Sequence, residues 1–354
     1  RSKFKNKQRA LESIDSLQQS QKDFKVVFLH RIPEGSSKIK GSRTFDNSSS
    51  GFLSFKVWYE KRQQEKLPCS FVLEATGNYH EQLAWFLFEQ QQRVHVVLAN
   101  RAKSYLKSLG LKSKTDQIDA KGLAQMGADQ QLATWQPLSK SLYTLRGMTR
   151  HHEDLCKVLV QLKNQQKQLA HNIYVLKEVS KGLEETLAVI EKQLEKIEGK
   201  IKSLIEKDEA LHKKVACITS IKGVGLITAA VVVAETNGFA LISNVKQLTS
   251  YAGYDVRENQ SGQRRGTSSI SKKGNSHIRR IMHMAALNVV RYEVGGFKNL
   301  QQRIYERSGY KMKGYVAVQS KLLKLMYTLW KTEQYFDPDY DSKKKENIIE
   351  KTLD

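Results

Sequence analysis

Cys69-Ser70-Phe71-Val72-Leu73-Glu74-Ala75-Thr76-Gly77-Asn78-Tyr79 is an apolar run stopped by an acid and followed by turn residues. A short continuous apolar run bounded by a turn is expected as a strand buried on both faces. A helical pattern comes next, with Leu83, Ala84, Phe86 and Leu87, and then a second such run, VHVVL, over residues 94–98. Strand, helix and strand in that order imply a parallel pair with a helix across it, and so an α/β domain. In such sheets functional groups gather at the carboxyl ends of strands. Glu74 stands at such an end, where core packing gives no reason for an acid; the plainer role is to complement a helix N-terminus.

Upstream, DFKVVFLH at residues 23–30 is expected as a strand. Pro33-Glu34-Gly35-Ser36-Ser37 is a turn, residues 40–47 a returning strand, and Ser48 to Gly51 a loop capping a helix over residues 52–62. Residues 1–22 are basic and polar, Gln-rich from Gln18 to Gln21, with only a poor strand pattern at residues 9–14. Downstream, Lys114-Thr115-Asp116-Gln117-Ile118-Asp119-Ala120 leads into a helical stretch through Met126. Asp116 and Asp119 then share a helix face. Paired carboxylates in a basic chain suit a hard cation such as Mg²⁺. Acids in a first helical turn also simply complement the dipole.

From Leu142 the chain turns strongly helical. Leu183, Leu187, Ile190, Leu194, Ile197, Ile201 and Leu204 alternate spacings of four and three, a heptad seam with Glu and Lys around it. The seam pairs with residues 151–179, with another subunit, or with both, and Gly182 is the expected interruption between the arms. Ile218-Thr219-Ser220-Ile221-Lys222-Gly223-Val224-Gly225-Leu226 resembles a helix-hairpin-helix turn. There the backbone N–H groups at Gly223 and Gly225, beside Lys222, face a DNA phosphate; a purely structural turn fits as well. Residues 227–234 are expected as a buried helix, residues 255–275 as a polar loop, residues 276–290 as a helix with one apolar face, and residues 338–354 as a charged tail. The polar loop holds Ser261-Gly262, then Arg264 and Arg265, then Lys272 and Lys273. A phosphoryl-transfer nucleophile needs an exposed hydroxyl and nearby cations. Ser268, Ser269 and Ser271 lie in the same loop, so composition does not choose among serines, and spacing alone favours phosphate binding without chemistry.

The 354 residues suffice for two or three domains with real cores. With 40% hydrophobic and 27% charged residues the composition is globular rather than disordered. No apolar run approaches the roughly 18–20 residues that span a membrane, and the first residues do not resemble a signal peptide. Cys69, Cys156 and Cys217 stand far apart in no metal-ligand spacing, as expected for buried thiols in a reducing cytoplasm. Lys and Arg total 59 against 36 Asp and Glu, a formal net charge of +23, which favours a polyanionic partner, nucleic acid by default.

Leu73-Glu74-Ala75-Thr76-Gly77-Asn78-Tyr79, Lys114 to Ala120, the Ile221–Gly225 turn, Tyr251-Ala252-Gly253 and the Ser261–Gly274 loop together resemble, in order and separation over most of residues 20–330, the transposases of insertion-sequence family 110/1111. The Piv-type DNA invertases belong with them. The resemblance implies a RuvC-like (ribonuclease-H-like) α/β nuclease domain over residues 1–150, an α-helical coiled coil over 151–212, a mainly α transposase domain over 213–335 and a tail over 336–354. It implies an enzyme, a DNA transposase or site-specific recombinase moving an insertion sequence. An Asp-Glu-Asp-Asp set binds Mg²⁺ in that family, and a serine attacks DNA to form a phosphoserine link. Some members pair a noncoding bridge RNA with target and donor DNA. Glu74, Asp116 and Asp119 match the last three acids, and Ser261 matches the serine. For the first acid an ungapped match gives Gln18, whereas Asp15 fits with a three-residue insertion. Expected partners are therefore DNA, a bridge RNA and further copies of the chain in a dimer or tetramer, in the cytoplasm, with no membrane. Two other readings stand beside this one: a metal-only nuclease of the Holliday-junction kind, and a catalytically dead nucleic-acid-binding relic.

Overall fold

A computed structural model describes residues 13–19, 22–31, 37–63, 68–75, 77–110, 115–174, 176–240, 242–257, 260–261, 264–265 and 269–340. The chain divides into two compact units, Arg1–Pro137 and Leu138–Asp354.

The first unit follows the expected α/β order: β1 (Ser13–Gln19), β2 (Asp23–Arg31), β3 (Ser37–Asp46), α1 (Ser49–Glu60), β4 (Cys69–Ala75), α2 (Glu81–Glu89), β5 (Arg93–Leu98), α3 (Ala99–Ser108) and α4 (Asp116–Asp129). The strands form one mixed sheet in the order β3-β2-β1-β4-β5. The pairs β1·β2 and β2·β3 are antiparallel, and β1·β4 and β4·β5 are parallel. Strands covered on both faces must be apolar on both, which is why DFKVVFLH and CSFVL are near-continuous apolar runs. One face carries Phe24, Phe28, Phe71 and Leu73 against Phe55, Trp58 and Tyr59 of α1 and Leu83 and Leu87 of α2. The Phe55 and Phe71 rings meet edge-on at 5.9 Å, a favoured aromatic geometry. The other face carries Val27, Leu29, Val72 and Val97 against Ala102 of α3 and Ala120, Leu123 and Ala124 of α4.

The sequence pattern is least informative at β1. The strand is Ser13–Gln19, displaced from the weak 9–14 pattern, and it is mostly polar. It pairs along its length with β2 on one side and with β4 on the other. A central position satisfies the backbone on both edges, so pairing rather than side-chain propensity makes this segment a strand.

The second unit comprises α5 (Lys140–Leu169), α6 (Lys177–Glu206), α7 (Glu209–Thr219), α8 (Leu226–Glu235), α9 (Val245–Ala252), four two-residue strands β6 (Val256–Arg257), β7 (Gln260–Ser261), β8 (Arg264–Arg265) and β9 (Ser269–Ile270), then α10 (Ser276–Arg291), α11 (Phe297–Ser308) and α12 (Lys311–Thr332). Helix α5 starts at Lys140, its first turn capped by the Ser139 hydroxyl, so the long helix begins before the boundary drawn at residue 150. Helices α5 and α6 fold back on each other, as the pairs Lys163–Glu191 at 2.8 Å and His152–Glu198 at 2.9 Å require of an antiparallel hairpin. The break between the arms is not at Gly182. That glycine lies inside α6, with open space where a Cβ would sit; α5 instead ends at Leu169, with Ala170 as its C-cap. A helical glycine costs about 1 kcal/mol, which hairpin packing absorbs. Along the seam Leu187, Leu194, Ile201 and Ile205 are buried, while Leu183, Ile190, Ile197 and Leu204 are half-buried. The core of this unit surrounds α8, whose residues Thr228 to Glu235 are all buried. Cys69 and Cys217 are buried free thiols, and Cys156 is half-buried.

Candidate active site and nucleic-acid interface

In the first unit, the pleat of β4 decides where Glu74 lies. Phe71 and Leu73 belong to the aromatic face, and Val72 to the face under α4. Side chains alternate along a strand, so Glu74, two residues past Val72, is on the α4 face, at the carboxyl end of the strand and half-buried. Helix α4 packs on β1, β2 and β4. Its first turn is fixed by Thr115, whose side chain accepts the Ile118 N–H. Asp116 and Asp119 both lie in that turn, but they differ: Asp119 is 8% exposed, whereas Asp116 is exposed to solvent. Glu74 and Asp119 are therefore brought to one face of the sheet, with Asp116 in the same helical turn. Among the described residues no three His, Cys, Asp or Glu side chains stand together closely enough to hold a metal ion.

The ladder register places the two candidates for the first acid. Asp15 is level with Phe28 of β2 and Phe71 of β4, both residues of the aromatic face. Ser16 is level with Val27 and Val72, both residues of the α4 face. Position 18 shares the parity of position 16. It follows Leu17, the partner of Leu73, and so is level with Glu74. The backbone position beside Glu74 on the α4 face is thus held by Gln18, while position 15 lies on the opposite face.

In the second unit, α7 and α8 are joined by the expected tight turn. Ile221 and Val224 are buried and anchor it. Gly223 adopts φ +97, where an L side chain is strained, and a Cβ there would crowd Asn288 and Tyr292. Lys222 is exposed, its ammonium 5.4 Å from the centre of the Tyr292 ring. Gly225 is the N-cap of α8 and offers no side chain to it, so the first N–H groups of that helix remain for solvent or an anion.

The segment expected as a loop holds two short antiparallel pairs, together a ribbon whose linking residues 258–259, 262–263 and 266–268 lie outside the described residues. Val256 and Arg257 pair with Ile270 and Ser269, and Gln260 and Ser261 pair with Arg265 and Arg264. Ser261 is thereby placed directly across from Arg264 near the far end of the ribbon. Two-residue strands are too short to leave an alternating pattern in the sequence. At its base Gly253 takes φ +75, and a Cβ on Gly274 would lie 2.5 Å from both the Gly253 nitrogen and the Tyr251 oxygen; that close approach requires glycine. Lys272 and Lys273 are exposed beside this base.

One residue that pattern reading passes over is Glu235. It ends the apolar run of α8 and is 4% exposed. Arg150 of α5 donates to it through Nε at 2.7 Å and through a terminal nitrogen at 3.0 Å. An acid closing a wholly buried helix is the signal that was available, since such an acid needs a cation.

Two family models match the chain: one described as a transposase over residues 19–175, and the transposase IS116/IS110/IS902 family over residues 215–302. The pilin gene-inverting proteins of Moraxella bovis and Moraxella lacunata are each 27% identical over 295 residues, covering 83% of this chain and 90% of the relative. The first model covers the acid-bearing sheet and runs on through α5 of the second unit, and the second covers the stretch from α7 into α11 that holds the ribbon. With its mixed α/β unit followed by a helical unit, the chain belongs to the IS110 family of transposases and Piv-type recombinases and is a DNA recombinase.

Proposed function

We propose that this recombinase cuts DNA through a phosphoserine intermediate formed by Ser261, with Glu74, Asp116 and Asp119 holding Mg²⁺. The observation carrying the proposal is the ribbon, which sets Ser261 across from Arg264. The Ser261 Oγ–P bond forms, the P–O3′ bond breaks, and the hydroxyl proton passes to the leaving 3′ oxygen. Arg264 and Arg265 offset charge on the phosphoryl oxygens. The acids fit a hard cation in kind, being carboxylate oxygens with Glu74 and Asp119 on one sheet face. Bound there, Mg²⁺ supplies charge stabilisation for a phosphoryl transfer. Lys222, Gly223, Gly225, Lys272 and Lys273 bind DNA phosphates. The partners are the element's ends and target, a noncoding bridge RNA and further copies of the chain joined through the α5–α6 hairpin, all in the cytoplasm. No helix among the described residues is long and apolar enough to cross a membrane.

The test is Ser261→Ala beside Ser269→Ala and Ser271→Ala. Ser261→Ala abolishes strand cleavage and leaves DNA affinity intact, since one neutral hydroxyl adds little to an interface dominated by cations; the other two reduce cleavage only partly. Denaturing gels of labelled DNA then reveal a protease-sensitive adduct at the 5′ end, mapping to Ser261. Efficient cleavage by Ser261→Ala with free 5′ phosphates supports a metal-only nuclease instead. A second reading, a chain that binds nucleic acid without cutting it, is favoured by one observation, that the position after Leu17, the partner of Leu73, is Gln18 and not an acid.

A further inference from the structure

Both feet of the ribbon are tied to one buried residue. The outgoing foot follows α9, where the Tyr251 hydroxyl donates to the main-chain oxygen of Glu235 at 2.6 Å. The returning foot ends at Asn275, whose side-chain amide donates to the Glu235 carboxylate at 2.6 Å. The feet are also tied to each other. The Asn275 N–H donates to the Tyr251 oxygen at 2.7 Å, the Ser271 N–H to the Asp255 oxygen at 2.7 Å and the Lys272 N–H to the Gly253 oxygen at 3.1 Å. Asn275 serves a second purpose with its other atom, its Oδ1 accepting the Ile278 N–H as the cap of α10. Arg150 closes the arrangement from α5 with its two-pronged contact. One turn further along α5, Glu153 accepts His277 of α10 at 2.7 Å and pairs with Arg280.

The side chain of Glu235 is 2% exposed, and that of Arg150 is 37% exposed. A buried ion pair is a poor source of stability, because desolvation consumes most of the attraction. What it provides is direction: a bidentate Arg–carboxylate pair fixes distance and angle together. Here it joins the hairpin arm, the end of α8 and the start of α10, the helix into which the ribbon runs.

Resting on the reading of Ser261 as nucleophile, we propose that Glu235 is a positioning residue that clamps both feet of the ribbon to the α5–α6 arm. Ser261 is six positions beyond Asp255, at most about 20 Å of extended chain. A small tilt at the base therefore becomes a large displacement of the hydroxyl, and a misplacement of about 1 Å at a reacting centre costs about a hundredfold in rate.

Asn275→Asp keeps the oxygen that caps α10 but sets a second carboxylate against Glu235. Glu235→Gln/Asn275→Asp exchanges donor and acceptor between those two side chains, while Arg150 keeps only its Nε contact, because its second prong shares the Glu235 oxygen that accepts from Asn275. Three quantities are read on the full chain: DNA affinity, single-turnover cleavage, and hydrogen exchange at the Ser271, Lys272 and Asn275 amides. Asn275→Asp slows cleavage about a hundredfold, holds DNA affinity within about twofold, and speeds exchange at those three amides while α12 is unaffected. The double variant recovers part of the cleavage rate and the protection, which a merely structural loss does not predict. Tyr251→Phe removes one hydroxyl from the outgoing foot and gives a smaller effect of the same kind, and it serves where Asn275→Asp does not fold. Wild-type cleavage and exchange in Asn275→Asp or, in its place, Tyr251→Phe overturns the clamp, as does a folded double variant no better than the single one. Amide exchange reports the clamp whether or not Ser261 is the nucleophile. Cleavage by Ser261→Ala with altered exchange in Asn275→Asp therefore removes the serine reading alone.

Discussion

At the scale of single residues, the informative position is 18. The register puts Gln18 beside Glu74 and Asp15 on the aromatic face. An amide oxygen is a weaker partner for a hard cation than a carboxylate. Gln18→Asp is expected to tighten Mn²⁺ binding, read by calorimetry, by about tenfold and to raise cleavage, while Asp15→Asn changes neither. Asp116→Asn should weaken Mn²⁺ binding in both the wild-type and the Gln18→Asp backgrounds. Loss of metal on Asp15→Asn with no gain from Gln18→Asp would show that the first acid is residue 15 after all. Glu235 makes a second prediction, in pH. Burial works to raise its carboxyl, but Arg150 and Asn275 outweigh that and hold it below the usual glutamate range. A depressed native pKa means that the unfolded chain takes up the proton more readily. The stabilisation is complete above the unfolded value of about 4.3 and is lost as pH falls through the native one. Thermal melts should show wild type and Glu235→Gln converging in stability below about pH 4, with wild type ahead at neutral pH. A constant difference across that range would mean that the ion pair does not titrate with folding.

At the scale of elements, the α5–α6 hairpin separates intramolecular from intermolecular burial. Ile201 is fully buried, whereas Ile190 is half-buried within the chain. Ile201→Asp places a charge in an apolar seam without a partner and is expected to destabilise the second unit by several kcal/mol, seen in denaturant melts. Ile190→Asp should leave the monomer close to wild-type stability and act on association, read by sedimentation. Unchanged mass and melting for Ile190→Asp would mean that this stripe faces water rather than another copy. The heptad pattern was plain in the sequence, since it needs only local spacing. The partner of the seam was not, because spacing does not distinguish an intrachain arm from a second chain. Gly182 misled for the same reason: propensity marked it as a break, yet packing carries α6 through it.

For the whole molecule, the charge of +23 governs encounter with nucleic acid. Binding that releases counterions falls steeply with salt, so affinity for the element's DNA should drop by about a thousandfold or more between 50 and 200 mM salt if six or more phosphates are neutralised. A nearly flat titration, read by fluorescence anisotropy, would count against an electrostatic interface of that size.

By itself the sequence determined what short-range pattern can encode: the α/β order of the first unit from runs such as CSFVL and VHVVL, the helical second unit, the helical turn that puts Asp116 and Asp119 on one face, the buried α8 and the basic balance. The resemblance singled out Glu74, Asp116, Asp119 and Ser261, which residue types alone left undecided. Only the tertiary structure decided what depends on partners distant along the chain. A polar segment became the central strand β1 because β2 and β4 flank it, and its register then set residue 18, not 15, beside Glu74. Part of the Ser261 loop became paired strands because residues 256–257 and 260–261 meet partners twelve or more positions and three or more positions further along, respectively. Glu235, last residue of an apolar run, owes its place to an arginine 85 positions earlier, and a contact over that separation leaves no periodicity in the sequence to be read.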